Sequence, residues 1–163
     1  MANILQDIWI IDISGIVLYH RVYNKKIDDQ LFGGLMCAIN RVAEMIIETR
    51  ITSINFGNKC FGILKKENIL FIANSNENIG SRTINYELDL IAHKFLNLYR
   101  KHLKNEVIVD LSPFNDFTGE IKDSLMSPKN KNASPIYKLG KDLPEFSEWI
   151  KKVRSVSNQK TSL

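Results

Sequence analysis

Little in this chain of 163 residues invites chemistry. It has only two cysteines, and both Cys37 and Cys60 sit inside apolar segments, which excludes a disulfide framework and predicts buried free thiols. Of its three histidines, His20 stands apart, and His93 and His102 lie nine residues apart on one predicted helix without a carboxylate at ligand spacing. That excludes the usual zinc patterns. No phosphate-binding loop, GxGxxG stretch, serine-hydrolase elbow or kinase signature is present. No apolar run approaches the ~18 residues a membrane span needs. The segment Met1–Asp7 has neither a basic region nor a cleavable apolar core, so a cytoplasmic protein is expected. From these absences we expect no catalytic residue, no metal and no cofactor.

What is present is scaffold. A hydrophobic fraction of 44% and a charged fraction of 25% are those of an ordinary globular domain. The net charge of +4 is unevenly spread. Residues 1–126 hold 14 Lys+Arg against 15 Asp+Glu (−1), and residues 127–163 hold 8 against 3 (+5). A near-neutral body with a basic tail argues against nucleic acid as the partner.

The run Ile8 to Ile13 is apolar at nearly every position, as in a strand covered on both faces. Ser14-Gly15 marks a tight turn, and Ile16 to Tyr23 resumes β-branched and aromatic residues, predicting an antiparallel hairpin. Asp12, inside the apolar run, is either a buried catalytic acid or a partner for the backbone amides of the turn.

A helix follows over Gln30–Glu48, with Asp28 or Asp29 placed to cap it. Leu31, Leu35, Ile39, Val42 and Ile46 recur as a stripe, widened by Phe32, Met36, Ala43 and Ile47, and Cys37 falls on the buried side. Asn40, Arg41, Glu44 and Glu48 mark the expected wet face. Gly33-Gly34 costs roughly 1 kcal/mol per glycine against alanine. Its presence predicts close approach of another backbone, within the fold or from a partner.

Three short strands then form a meander, at Arg50–Phe56, Cys60–Leu64 and Ile69–Ala73. A polar loop over Asn74–Gly80 leads to a second helix over Ser81–Leu103. Val107–Val109 is a link or minor strand, and Ser112-Pro113 opens a third helix carrying Phe114, Phe117, Ile121 and Leu125. Together these predict an α+β sandwich, a five-stranded antiparallel sheet with one helix on one face and two on the other. Residues 1–126 form this domain, 127–143 a linker or long loop, and 144–163 a short basic amphipathic helix with a frayed end.

Trp9–Tyr19 resembles the opening hairpin of a longin domain, and Leu31–Ile39 resembles the start of its first helix, particularly in archaeal longin-like proteins. Ile54-Asn55-Phe56-Gly57 and Leu70-Phe71-Ile72-Ala73 resemble its third and fifth strands, and Leu111–Phe117 the entry to its last helix. The resemblance covers roughly residues 4–126. It implies a non-catalytic adaptor that binds a Ras-like small GTPase or another longin or roadblock subunit, in membrane traffic or GTPase signalling, with self-pairing as a homodimer a further option. No heptad helix follows the domain, which separates the chain from longin SNAREs.

In the longin arrangement the second and third strands lie at opposite sheet edges. Arg21, Tyr23, Ser53 and Asn55 are therefore expected interaction residues, with Phe32 and Gly33 beside them. In the tail, Phe146, Trp149, Ile150 and Val153 share one side of the helix opened by Pro144, flanked by Lys151, Lys152 and Arg154. This face has three uses: folding back on the domain, docking a partner, or resting peripherally on an anionic membrane. A profilin-like small-molecule sensor remains an alternative, and it requires a cavity with converging polar groups.

Overall fold

The computed structural model describes residues 4–22, 27–56, 59–75, 79–103, 108 and 110–125. The whole predicted tail, with Phe146, Trp149, Ile150 and Val153, lies outside the described residues, as does Tyr23.

Two strands, β1 (Leu5–Asp12) and β2 (Val17–Arg21), form the opening hairpin. Asp12 closes it: its carboxylate accepts from the Ser14 amide at 2.8 Å and from the Ser14 hydroxyl. Helix α1 (Asp29–Ile47) begins at Asp28, whose side chain accepts from the amides of Gln30 and Leu31. Such a cap is worth about 1 kcal/mol. Strands β3 (Ser53–Phe56), β4 (Lys59–Lys66) and β5 (Ile69–Ser75) make the meander, and α2 (Ser81–Tyr99) follows. The predicted third helix is broken into a 3-10 turn at Ser112–Phe114, a short α3 (Phe117–Ile121) and a second 3-10 turn at Lys122–Ser124. Ile108, the described member of the predicted link, is in neither strand nor helix.

All five strands pair antiparallel in the order β2-β1-β5-β4-β3, with the second and third strands at the two edges. The central strands β1 and β5 divide their side chains between two cores, as a period of two requires. Trp9, Ile11, Leu70 and Ile72 face α1, with Phe32, Met36, Phe61 and Ile63. Ile8, Ile10, Phe71 and Ala73 face α2 and α3, with Leu88, Ile91, Phe95, Phe114 and Phe117. The α2 side is aromatic: Phe95 stacks on Phe114 at 5.4 Å and meets Phe117 edge-on at 5.0 Å. Gly62 lets α2 lie close to β4, since a Cβ there would come within 2.6 Å of Ile84 Cγ2.

Asn74 and Ser75, expected in a loop, extend β5 and are buried. The reason is polar pairing: Asn74 sits opposite Asp7 and donates to its carboxylate at 3.1 Å, and the Ser75 hydroxyl donates to the Ile4 carbonyl.

The main departure from the sequence reading is the rotation of α1. Phe32, Met36, Cys37, Asn40 and Ala43 form its buried face. Leu31, Leu35 and Ile39 are half-buried, and Val42 and Ile46 from the expected inner stripe are 53% and 75% exposed. Asn40, expected to be wet, is 3% exposed. Apolar residues encircle more than half of this helix, so periodicity fits two phases equally. Contact with the hairpin chooses between them. A Cβ on Gly33 would sit 2.6 Å from Val17 Cγ2 and 2.8 Å from the Gly15 carbonyl oxygen, whereas one on Gly34 would meet nothing within 4 Å. The close approach that the glycine pair predicts is therefore intramolecular, and Gly33 carries it.

The two glycines should respond oppositely to alanine. Gly33→Ala forces backbone or Val17 to move and is expected to cost about 1–3 kcal/mol in urea denaturation. Gly34→Ala gains helix propensity and is expected to stabilise by up to about 1 kcal/mol. Equal effects would show that α1 is not seated through Gly33.

Candidate docking surface

The strand order puts β2 and β3 at the two edges of the sheet, and the edges differ. At the β2 edge the Gln30 side chain accepts from the Val17 amide at 3.0 Å and donates to the Val17 carbonyl at 3.4 Å. His20 lies 3.4 Å from Asp29. The first turn of α1 thus engages the backbone groups of Val17, the first residue of this edge strand. Arg21 is half-buried at the end of β2. At the other edge β3 pairs with β4 alone among the described residues. There Ser53 is half-buried and Asn55 exposed.

On the α1 side of the sheet, the outer face of the helix is exposed. Met45 is 76% exposed and, with Val42 and Ile46, puts three large apolar side chains in solvent within five residues. Ile39 on α1 and Ile51 and Ile54 near β3 are half-buried against the core beneath. Apolar surface is therefore exposed on the helix. Phe32, expected among the contact residues, is 5% exposed and stacks on Trp9 at 4.5 Å between ring centroids. It supports this surface from below, as Gly33 does by seating the helix. The sequence reading missed Met45. The signal was the unbroken run Met45-Ile46-Ile47, which a single inward stripe cannot absorb.

Two surface clefts test for chemistry. One, of about 310 Å3, lies between the hairpin turn and α1 and is lined by Ile13, Ser14, Cys37, Asn40, Arg41 and Glu44. Burial, reinforced by the charge of Asp12, pushes the Cys37 thiol up to about 11. The thiol donates to the Asp12 carbonyl at 3.3 Å. Lys65 grips both Glu44 oxygens, at 2.7 and 3.0 Å, and holds that carboxyl below its usual range. Asn40 Oδ1 is buried without a partner among the described residues. The other cleft, about 370 Å3, is rimmed by Arg50, Lys65, Lys66, His93 and Arg100. Its cations are largely tied down: Lys66 sits 2.7 Å from Asp89 and 2.9 Å from His93, and Arg100 lies 3.9 Å from Glu67. Among the described residues no three His, Cys, Asp or Glu side chains converge as metal ligands, and no helix is long and apolar enough to cross a membrane.

The architecture is an α+β sandwich, a five-stranded antiparallel sheet with α1 on one face and α2 with α3 on the other. No family model matches the chain, and no curated protein matches it significantly. Among solved structures, Myxococcus xanthus MglB is similar at a TM-score of 0.45 and 14% identity, over 58% of this chain and 85% of that one.

The state of Cys37 is directly measurable. At pH 8 a thiol titrating near 11 is about a hundredfold less ionised than an ordinary one. Iodoacetamide should therefore alkylate Cys37 in the folded protein at least about a hundredfold more slowly than in urea. Comparable rates would show an accessible, activated thiol instead.

Proposed function

We propose that this chain is a non-catalytic adaptor that binds a Ras-like small GTPase or another longin or roadblock subunit, in GTPase signalling or membrane traffic. The partner is taken on the outer face of α1 and the adjoining edge of β3. The observation that carries this reading is the exposure of Val42, Met45 and Ile46 on a helix whose opposite side is fully packed. Exposed apolar side chains grouped on one rigid element beside an open strand edge are what a protein interface requires. The resemblance of residues 4–126 to longin domains supplies the partner class. The sites expected from sequence enter unequally. Ser53 and Asn55 border this surface, Arg21 is at the far edge, and Phe32 and Gly33 act beneath it.

Immobilised full-length protein should retain a Ras-like GTPase or a longin or roadblock subunit from native lysate, identified by mass spectrometry. Met45→Glu and Asn55→Arg lie on exposed positions and should abolish retention while shifting the melting temperature by no more than the equivalent of about 0.5 kcal/mol. Retention of neither partner class, or retention unaffected by both substitutions, would overturn the proposal.

A further inference from the structure

The cleft between the hairpin turn and α1, about 310 Å3, contains two groups that the fold leaves unused. One is Asn40. Its side chain is buried, and its amide hydrogen-bonds to the Glu44 carboxylate, an acceptor, which identifies the donating end as nitrogen. The opposite end, Oδ1, then has no partner among the described residues and no contact with solvent. Native folds rarely leave a buried acceptor in that state. The other group is Arg41, which is exposed at the rim and makes no hydrogen bond or ion pair with the described residues.

The carboxylates around the cleft are already engaged. Lys65 grips both Glu44 oxygens, and the Asp12 side chain accepts from the Ser14 amide and hydroxyl. The remaining walls are apolar or neutral. Ile13 is an exposed aliphatic side chain, and Cys37 is a protonated thiol that donates to the Asp12 carbonyl.

We infer that this cleft binds a small carboxylate with an N–H on the neighbouring carbon and an apolar side chain. Two sources share that chemistry: a free apolar α-amino acid and the C-terminal residue of a peptide. The carboxylate pairs with Arg41, whose planar guanidinium matches it with two parallel hydrogen bonds. The N–H is directed at Asn40 Oδ1, with access gained as the rim side chains of Ile13 and Arg41 move aside. The apolar side chain lies along Ile13 and Cys37. Each group excludes an alternative. A simple cation would be repelled by Arg41, and Lys65 already holds Glu44. A carboxylate without a donor would leave Oδ1 unpaired. The volume is at the small end of the ~300–1,000 Å3 range of ligand pockets, which fits a single residue and little more. This goes beyond the adaptor role proposed above and does not rest on it.

Titration of the 15N-labelled full-length protein with L-leucine and with N-acetyl-L-leucine, followed by amide chemical shifts, tests the inference. At least one should bind with a Kd below about 1 mM, as expected for roughly ten well-placed non-hydrogen atoms. Tighter binding of L-leucine assigns the site to a free amino acid, and tighter binding of N-acetyl-L-leucine assigns it to a peptide C-terminus. The shifts should centre on Ser14 and on residues 37–44. The carboxamide of the better probe, which lacks the carboxylate, and 4-methylpentanoate, which lacks the N–H, should each bind at least about tenfold more weakly.

Two variants connect these losses to the two residues. Arg41→Met keeps the aliphatic stem at an exposed position. It should weaken the acid by the same factor and leave the carboxamide unchanged. Asn40→Leu removes the acceptor at similar volume and should weaken the better probe but not 4-methylpentanoate. If Asn40→Leu does not fold, Arg41→Met and the ligand series decide the question by themselves. Dissociation constants above about 10 mM for both acids would overturn the inference. So would equal binding of acid and carboxamide, an affinity unchanged in Arg41→Met, or shifts centred on another surface. None of these measurements needs a partner protein, so a failed lysate capture and a failed ligand titration remain distinguishable.

Discussion

The contact between Gly33 and the opening hairpin decides how the rest of α1 is used. A side chain at this position would overlap Val17 and the Gly15 carbonyl. Glycine therefore lets the helix settle against the turn, with Gln30 clamping Val17 and Cys37 reaching the Asp12 carbonyl. These contacts fix the azimuth of the helix. With Gly33 inward, Phe32, Met36 and Ala43 must face the sheet and Val42, Met45 and Ile46 must face water. A rotation of half a turn would turn Val42 and Met45 toward the sheet and Phe32 and Met36 toward water. The glycine contact is what makes one of the two phases available and the other strained.

The sheet beneath is a rigid support. Strands β1 and β5 are paired on both sides and covered on both faces, so their residues are buried at nearly every position. Opposed packing of α1 on one face and α2 with α3 on the other fixes both layers through the same two strands. The aromatic cluster of Phe95, Tyr99, Phe114 and Phe117 then anchors the broken last helix, to which Tyr19 reaches with a hydrogen bond at Thr118, 2.8 Å. A surface on α1 is therefore presented by a helix that cannot roll without disturbing this packing.

Much of this was legible in the sequence, for a physical reason. Strand alternation, the hairpin turn, the Asp28 cap and the presence of a three-strand meander are local properties, written in consecutive residues, although β3 is shorter and β4 and β5 are longer than their apolar runs. That β2 and β3 lie at the edges came from the longin resemblance and not from any local pattern, since the central pairing of β1 with β5 joins strands about sixty residues apart. What failed was long-range. The phase of α1 depends on a glycine meeting a turn eighteen residues earlier, and the end of β5 on Asn74 meeting Asp7. The break in the last helix follows packing demands at Phe114 and Phe117 that no local pattern encodes. The candidate surface was half visible. Its edge strand was inferred from the fold, and Met45 was missed because periodicity assigned α1 a single apolar side.

Where the charged residues are spent bears on function more directly than their number. Lys65 is held by Glu44 and Lys66 by Asp89, each pair fastening a helix to the end of β4. Asp12 is committed to the turn, and Cys37 is held neutral by burial. Groups engaged in this way stabilise the scaffold. Apolar side chains in water have no such prior engagement. Covering Val42, Met45 and Ile46 gains about 25 cal/mol for each Å2 removed from solvent without disrupting any contact within the domain.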